Sequence, residues 1–246
     1  MKFFIIIAAL FALVCMLMLF WWFQGSYYFD TGSSRPYRIP PGEIHGVDVS
    51  HYSGPVDFER IKAQRFAFVF LRSSMGVNGV DYRFHQHRKA AEWAGLKWGC
   101  YHFFRFGEDG VAQACHLLRT LDGHRPDLPL VIDVEEEGPN RNCGKSTASV
   151  RLEVKRCIKH LKKAGYAHVM LYSNESGYRK YLQGHTDEHH LWIASLKRRP
   201  ALTRTWTFQQ YRLDAPLYGV TGRADYNRFH GDAEEWQRFL NKVKMK

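Results

Sequence analysis

The sequence predicts an α/β protein: an irregular (β/α) barrel with about eight strands and fewer helices, preceded by one N-terminal transmembrane helix. Three observations carry this expectation. Strand-like and helix-like segments alternate from residue 44 onward, the pattern of a parallel sheet covered by helices. The last three strand-like segments follow one another without proper helices, which makes the barrel irregular. Residues 3–23 are apolar without interruption, close to the ~20 residues a helix needs to cross ~30 Å of hydrocarbon.

The elements follow in chain order. A cleaved signal peptide would have a shorter apolar centre and a small-residue cleavage site after it. Here the apolar run ends in Phe20, Trp21, Trp22 and Phe23, with Tyr27 and Tyr28 beyond, which suits an interfacial aromatic belt. Residues 1–24 therefore read as an uncleaved anchor, and Lys2 beside the amino terminus favours that end inside and the remaining chain outside. Residues 25–43 are rich in Gly, Ser, Pro and Tyr and lack periodicity, so they read as a linker. Residues 44–246 fit one domain.

Within that domain residues 44–50 read as a strand and 57–64 as a short helix. Residues 66–73 form the second strand, after which Asp81 can cap a helix that reaches Ala94 and stops at Gly95. Residues 97–104 are a strand, 109–121 a helix and 128–135 a strand. Val150, Val154, Cys157, Ile158 and Leu161 then share one helical face at a 3.6-residue period, with Gly165 as the stop. Residues 168–172 are a strand and 175–182 a short helix. Strands at 191–196, 206–211 and 224–229 and a helix at 233–243 complete a TIM-like barrel. In such a barrel the reactive groups sit at the C-terminal ends of the strands.

The segment LPLVIDVEEEG, residues 128–138, sets acids at the end of a core strand, where buried carboxylates are costly unless paired or used. Alternation puts Val131, Asp133 and Glu135 on one face and Leu130, Ile132 and Val134 on the other, toward the helices. By the same parity Glu136 turns away, and Glu137 has the right parity but lies past the strand end. Asp48, in the strand His45-Gly46-Val47-Asp48-Val49, and Asp225, in Ala224-Asp225-Tyr226-Asn227, are further inward acids. Carboxyl groups in different environments can run glycoside hydrolysis, one as acid and another as base, nucleophile or stabiliser. Crowding raises their pKa values and helps one keep its proton. Tyr101, Phe103, Trp192, Tyr211 and Tyr226 lie near strand ends and could stack on sugar rings.

The formal net charge is +11, nearly all of it outside the anchor, but the basic residues are scattered, as in Lys159, His160, Lys162 and Lys163 or in Lys197, Arg198 and Arg199. Most read as a solvated surface. An extracytoplasmic domain argues against nucleic acid and leaves anionic lipid and wall polymer as partners. Cys100, Cys115, Cys143 and Cys157 allow three pairings, among which the sequence does not choose, and their spacing matches no zinc template. Cys100 reads as a buried strand thiol. The oligomeric state stays open.

These residues fall into a known pattern. Gly46-Val47-Asp48-Val49-Ser50-His51-Tyr52-Ser53-Gly54, with Val56-Asp57-Phe58 after it, resembles the opening of the glycoside hydrolase family 25 lysozymes, the Chalaropsis-type N-acetylmuramidases. Gly99-Cys100-Tyr101-His102-Phe103 is similar to that family's third strand, and Leu128 to Glu135 to its catalytic strand. Leu191-Trp192-Ile193-Ala194, Gln210-Tyr211, Gly219-Val220 and Ala224-Asp225-Tyr226-Asn227-Arg228-Phe229 continue the pattern in order, over about residues 44 to 240.

The resemblance implies an irregular (β/α) barrel that cleaves the β-1,4 bond between N-acetylmuramic acid and N-acetylglucosamine in peptidoglycan. By that similarity Glu135 is the general acid, Asp133 orients and stabilises the reacting centre, and Asp48 and Asp225 complete the acidic cluster. Tyr101, Phe103, Trp192, Gln210, Tyr211 and Arg72 are the expected substrate-binding residues. No metal or organic cofactor is implied. The partners are peptidoglycan glycan strands, and the membrane through the N-terminal helix. With the anchor this places the protein in the bacterial cytoplasmic (inner) membrane as a single-pass protein with its domain on the periplasmic side. One departure stands out: where the family commonly has Lys-Ala-Thr-Glu-Gly, this chain has Arg72-Ser73-Ser74-Met75-Gly76, which keeps the charge and loses a carboxylate.

Two other readings bear on the same residues. A non-catalytic peptidoglycan- or glycan-binding protein on the same fold would find its support in Met75. A polysaccharide deacetylase would need a metal held by His51, Asp48, Asp133 and Glu135, but no second histidine has ligand spacing, although His45 and His102 lie on strands.

Overall fold

A computed structural model describes residues 35–244 together with Val14 and Met16. Apart from those two residues, the expected anchor over residues 1–24 lies outside the described residues, as does the linker up to residue 34. Among the described residues no helix is long and apolar enough to cross a membrane.

The chain enters the barrel through β1 (His45–Val49), followed by α1 (Phe58–Ala63), β2 (Phe68–Met75), a two-residue arm β3 (Gly79–Val80) and α2 (Phe84–Trp93). Then come β4 (Lys97–Phe103), α3 (Gly110–Leu121), β5 (Leu130–Asp133), α4 (Thr147–Lys163) and β6 (Val169–Asn174). A short turn α5 (Glu175–Gly177) runs on into a wider turn at Tyr178–Leu182. The strands β7 (His190–Ala194), β8 (Phe208–Ala215) and β9 (Ala224–Phe229) follow, and α6 (Ala233–Lys244) ends the fold. Side-chain oxygens of Asp57, Asp109 and Ser146 accept from the first free backbone N–H groups of α1, α3 and α4. Asp81 does not cap α2 in this way. Its Oδ1 accepts from Arg83 N just ahead of the helix, and its Oδ2 is taken by His51.

Strand pairing closes eight of these strands into a ring, because β1 pairs with both β9 and β2. From β1 through β2, β4, β5, β6, β7 to β8 the neighbours are parallel. The expectation of a parallel sheet fails at β9, which runs antiparallel to both β8 and β1. The cause is chain length. Only residues 216–223 separate β8 from β9, and a parallel crossover needs about a dozen residues or more.

Alternation sorts the side chains as the sequence indicated. Val47, Val49, Leu130, Ile132 and Val134 face outward into the core shared with the helices, where Leu117, Val154 and Leu161 meet them. Phe68, Phe70, Val131, Met170, Trp192 and Phe208 point inward and fill the barrel, with Phe70 and Trp192 stacked at 4.4 Å. From below, α6 adds Trp236, Phe239 and Leu240 to this inner core. The strands cross over bulky rings only where they carry no side chain themselves: a Cβ on Gly99 would come within 2.6 Å of the Phe70 ring. With the interior filled and the base plugged, the barrel itself opens only into a cavity at its C-terminal mouth. In the stretch read as linker, Tyr37 and Ile39 pack on the outer core, and Tyr37 N donates to Gln64 Oε1 at 2.9 Å.

At the start of α3, Gly110 lies against the backbone of α4, and a Cβ there would overlap the carbonyl of Glu153. Backbone cannot rotate away as a side chain can. Gly110→Ala is expected to cost ~1–3 kcal/mol through overpacking, read as a lower midpoint in thermal unfolding. An unchanged midpoint would mean the two helices slide apart freely.

Candidate active site

Three strands deliver the acids. Asp48 stands near the C-terminal end of β1, Asp133 ends β5, and Glu135 lies just past it. Asp225 is the second residue of β9, and it shares this mouth because β9 is reversed: Asp48 and Asp225 are direct cross-strand partners. In a parallel barrel the start of β9 would be at the base. All four acids line one open cavity of about 350 Å³, together with Arg72, Tyr101, Phe103, Tyr52 and Glu137.

Burial dominates their chemistry. It raises the pKa of Asp48, Asp133, Glu135 and Asp225 alike. For Asp48 the charge of Asp225 adds to the effect, and amide hydrogen bonds from Asn227 and Gln210 oppose it. For Asp133 the neighbouring Glu135 raises the value further, while the Arg72 guanidinium opposes. Glu135 is pushed up to about 7, by burial first and then by the charge of Glu137. Both carboxyls of this neighbouring pair therefore bind a proton more tightly than free carboxylates do. No amide, hydroxyl or guanidinium donor reaches the buried Oδ1 of Asp133, which is only 4% exposed as a residue.

Beneath the acids lies a polar floor. Gln210 Nε2 donates to Asp48 Oδ2 (2.9 Å) and Asp225 Oδ2 (3.0 Å), and Asn227 Nδ2 donates to Asp48 Oδ2 (2.7 Å). The other end of each amide is fixed from below. The Tyr172 hydroxyl donates to Gln210 Oε1 at 2.7 Å, and Trp192 Nε1 donates to Asn227 Oδ1 at 2.8 Å. An indole N–H is only a donor, so Asn227 must turn its oxygen toward Trp192 and its NH₂ toward Asp48. Asp225 is held from its open side as well, by the backbone N–H of Asp214 at 2.6 Å. Asp214 has a left-handed backbone (φ 45°), a conformation Asp tolerates, and the Arg223 guanidinium pairs with it at 3.0 Å.

The structure brings Glu135, Asp133, Asp48, Asp225, Tyr101, Phe103 and Arg72 to one cavity, as expected from the sequence. It corrects three expected substrate contacts. Trp192 is 1% exposed, stacked beneath the site on Phe70, so it supports the floor and meets no substrate. Gln210 is buried and has committed its amide to the two aspartates and Tyr172. Tyr211 has outward parity on β8: its hydroxyl bonds His45 Nδ1 (2.8 Å) and Tyr37, on the far side of the wall. Tyr226 is outward too, its hydroxyl donating to Pro216 O. Glu136 turns away to Lys180 and Tyr181, as its parity indicated. Arg72 Nη2 lies 3.6 Å from the Met75 thioether, which fills the place beside it. Sequence reasoning missed Tyr172, Asn227 and Asp214. Inward parity on β6 pointed to Tyr172, and Asn227 follows Asp225 by two; nothing in the sequence marked Asp214.

His51, considered as a metal ligand, instead binds Asp81. Among the described residues no group of three or more His, Cys, Asp or Glu side chains could hold a metal ion. Cys100, Cys115, Cys143 and Cys157 are free thiols, and burial pushes that of Cys100 up to about 12.

Carboxyls with raised pKa values in an open cleft, set at the mouth of a filled barrel, are the arrangement of a glycosidase of the (β/α)-barrel class. Comparison with known proteins reaches the same class and narrows it: residues 47–220 match the family described as glycosyl hydrolases family 25. The chain belongs to this family of lysozyme-like peptidoglycan hydrolases. It is 31% identical over 215 residues to the uncharacterized protein YegX of Escherichia coli K12, covering 84% of this chain and 77% of that one. Against lysozyme M1 of Streptomyces globisporus the identity is 30% over 202 residues, 77% of this chain and 69% of the other. Among solved structures, a family 25 glycosyl hydrolase from Bacillus anthracis superposes with a TM-score of 0.74 at 31% identity, covering 85% of this chain and 99% of that one. The bacterial lysozyme of Streptomyces coelicolor gives 0.72 at 28% identity, over 83% and 100%.

The raised pKa values make a stability prediction. Asp133 and Glu135 bind protons more tightly in the folded than in the unfolded chain. Their protonation therefore stabilises the fold at low pH, and that stability is lost as pH rises from the ordinary carboxylate value of ~4 through about 7. Asp133→Asn removes one charge and its repulsion of Glu135. It is expected to raise the melting temperature by about 2–4 °C at pH 8 and to change it little at pH 4. A variant that melts lower than the natural chain at pH 8 would show that the carboxylate is held by attractions that outweigh its burial.

Proposed function

We propose that this chain is an N-acetylmuramidase that hydrolyses the β-1,4 bond between N-acetylmuramic acid and N-acetylglucosamine in peptidoglycan. The observation that carries this reading is the pair of Asp133, buried, and Glu135, half-buried, both facing one open cleft and both with raised pKa values. Glu135, with a pKa near the working pH, is the general acid that protonates the glycosidic oxygen as the bond breaks. Asp133, whose Oδ1 lacks a donor within the protein, accepts from the sugar's acetamido N–H and stabilises the positive charge that develops on the ring. Asp48 and Asp225, fixed by Gln210 and Asn227, keep the field of the cleft negative and position the substrate. Tyr101 and Phe103 offer faces for sugar rings, and Arg72 tempers the charge of Asp133. The intact acid cluster favours a hydrolase over a binding protein.

Digestion of purified peptidoglycan by the full chain in detergent, with products analysed for new reducing ends, tests this. Muramic acid is expected at the new ends, and Glu135→Gln is expected to lower turnover by about 10²–10⁴-fold. Binding without cleavage, equal to that of Glu135→Gln, would move the chain to the non-catalytic class. Because the acid must be protonated, turnover should fall as pH rises through about 7. Glu137→Gln removes a charge that raises the pKa of Glu135, so this alkaline limb should move to lower pH. A limb that stays in place would remove Glu137 from the site's electrostatics.

We also infer that residues 1–24 anchor the domain in the cytoplasmic membrane with the barrel on the periplasmic side, supported by the apolar run of residues 3–23 and its aromatic end. The chain should stay with membranes through alkaline washing and leave with detergent. Release by alkali alone would end this reading.

A further inference from the structure

The rim of the cleft carries an aromatic strip that the acid cluster does not use. Tyr52 and Tyr82 are 76% and 72% exposed, so neither ring is held by the core. Between them lies the His51 imidazole, its centroid 4.0 Å from that of Tyr52 and 5.1 Å from that of Tyr82. His51 cannot swing away. Its Nδ1 is 2.7 Å from Asp81 Oδ2, and its backbone N–H donates to the same oxygen at 2.9 Å. The Asp81 side chain is fully buried, and its backbone N–H is bonded to Ser73 O of β2 at 2.9 Å. Arginines stand at both ends of the strip, Arg72 5.7 Å from the centre of the Tyr52 ring and Arg83 5.4 Å from that of Tyr82.

Single exposed aromatics are ordinary on a protein surface. Three contiguous rings, the central one locked by a buried carboxylate and one of them lining the cleft, are a built surface. Tyr52 lines the acid cavity, and Tyr82 carries the strip outward from it. Flat faces with polar edges suit a pyranose, whose C–H face packs on a ring while its hydroxyls reach phenol and guanidinium groups. An occupant that touches both the acids and Tyr82 must be an extended chain.

We propose that Tyr52, His51 and Tyr82 form a distal glycan subsite, which takes sugar residues of the strand beyond those held at the acids. The identity of the glycan rests on the muramidase reading; the existence of the subsite does not. The strip fixes substrate length: a strand long enough to lie on it gains affinity that a short one lacks.

Binding and cleavage are measured separately to test this. The full-length Glu135→Gln chain in detergent is titrated calorimetrically with peptide-free glycan oligosaccharides, from disaccharide to octasaccharide. Affinity should rise with length, and adding Tyr82→Ala should weaken the octasaccharide by about tenfold while the gain over the disaccharide collapses. Tyr82→Phe should restore most of that gain, which a loss of folding would not allow, and the melting temperature of Tyr82→Ala should match its parent. Equal octasaccharide affinity with and without Tyr82→Ala overturns the subsite. Should the unsubstituted chain bind long oligosaccharides through Tyr82 without cleaving them, the muramidase reading falls and the subsite stands.

Discussion

The site depends on one constraint of topology, the antiparallel closure of the barrel at β9. Seven strands run the same way and leave a gap that β9 fills in the opposite sense, hydrogen-bonded on both sides. Its register sets Asp225 opposite Asp48, and Asn227, two residues on, also faces inward. From there Asn227 reaches Asp48, and Gln210 on β8 bridges Asp48 to Asp225. A parallel β9 would point its first residues at the base, among the rings of α6. The reversal therefore converts a barrel with acids on two strands into one with an acid cluster built from three.

The cluster's electrostatics follow from what fills the barrel below it. Phe70, Phe208 and Trp192 leave no room for water to hydrate the acids from beneath, so burial outweighs every other influence on their pKa values. Trp192 and Tyr172 each present one hydrogen to the underside of the site, and those two bonds orient the amides above. The apolar core and the reactive site are thus joined through two side chains that belong to both. Deleting either polar hydrogen would leave an amide free to flip and present its oxygen to Asp48.

Much of this was legible in the sequence, and the reason is parity. Period-two alternation separated Asp133 and Glu135 from Leu130, Ile132 and Val134, and turned Glu136 away from the cleft. The same rule, applied to β8, sets Gln210 inward and Tyr211 outward, whereas a substrate role is expected of Tyr211 from its nearness to a strand end and of Gln210 from the family resemblance. Trp192 differs for another reason: it does face inward, but it lies deep in the barrel, and depth along the barrel axis cannot be read from one strand. The direction of β9 was hidden by an end effect. With β8 read as ending at residue 211, residues 212–223 looked long enough for a crossover; the strand runs to Ala215 and leaves room only for a reversal. Asp214 lies in the irregular end of β8, where the register shifts, and the Tyr52–His51–Tyr82 strip lies in connections between strands, so simple alternation reaches neither.

The direction of β1 also relates the site to the segment that precedes the barrel. His45 begins β1 at the base and Asp48 lies toward the mouth, so the chain before residue 44 joins the domain at the end opposite the acids. Tyr37 and Ile39 bind that incoming segment to the outer wall, with Tyr37 against Phe66 and Tyr226. The chain thus enters the domain along its outer wall, at the end of the barrel opposite the acid cleft. The exposed rim strip lies at the open end, where Tyr52 joins it to the cleft, so on the proposed subsite a glycan strand reaches the acids without meeting the docked segment.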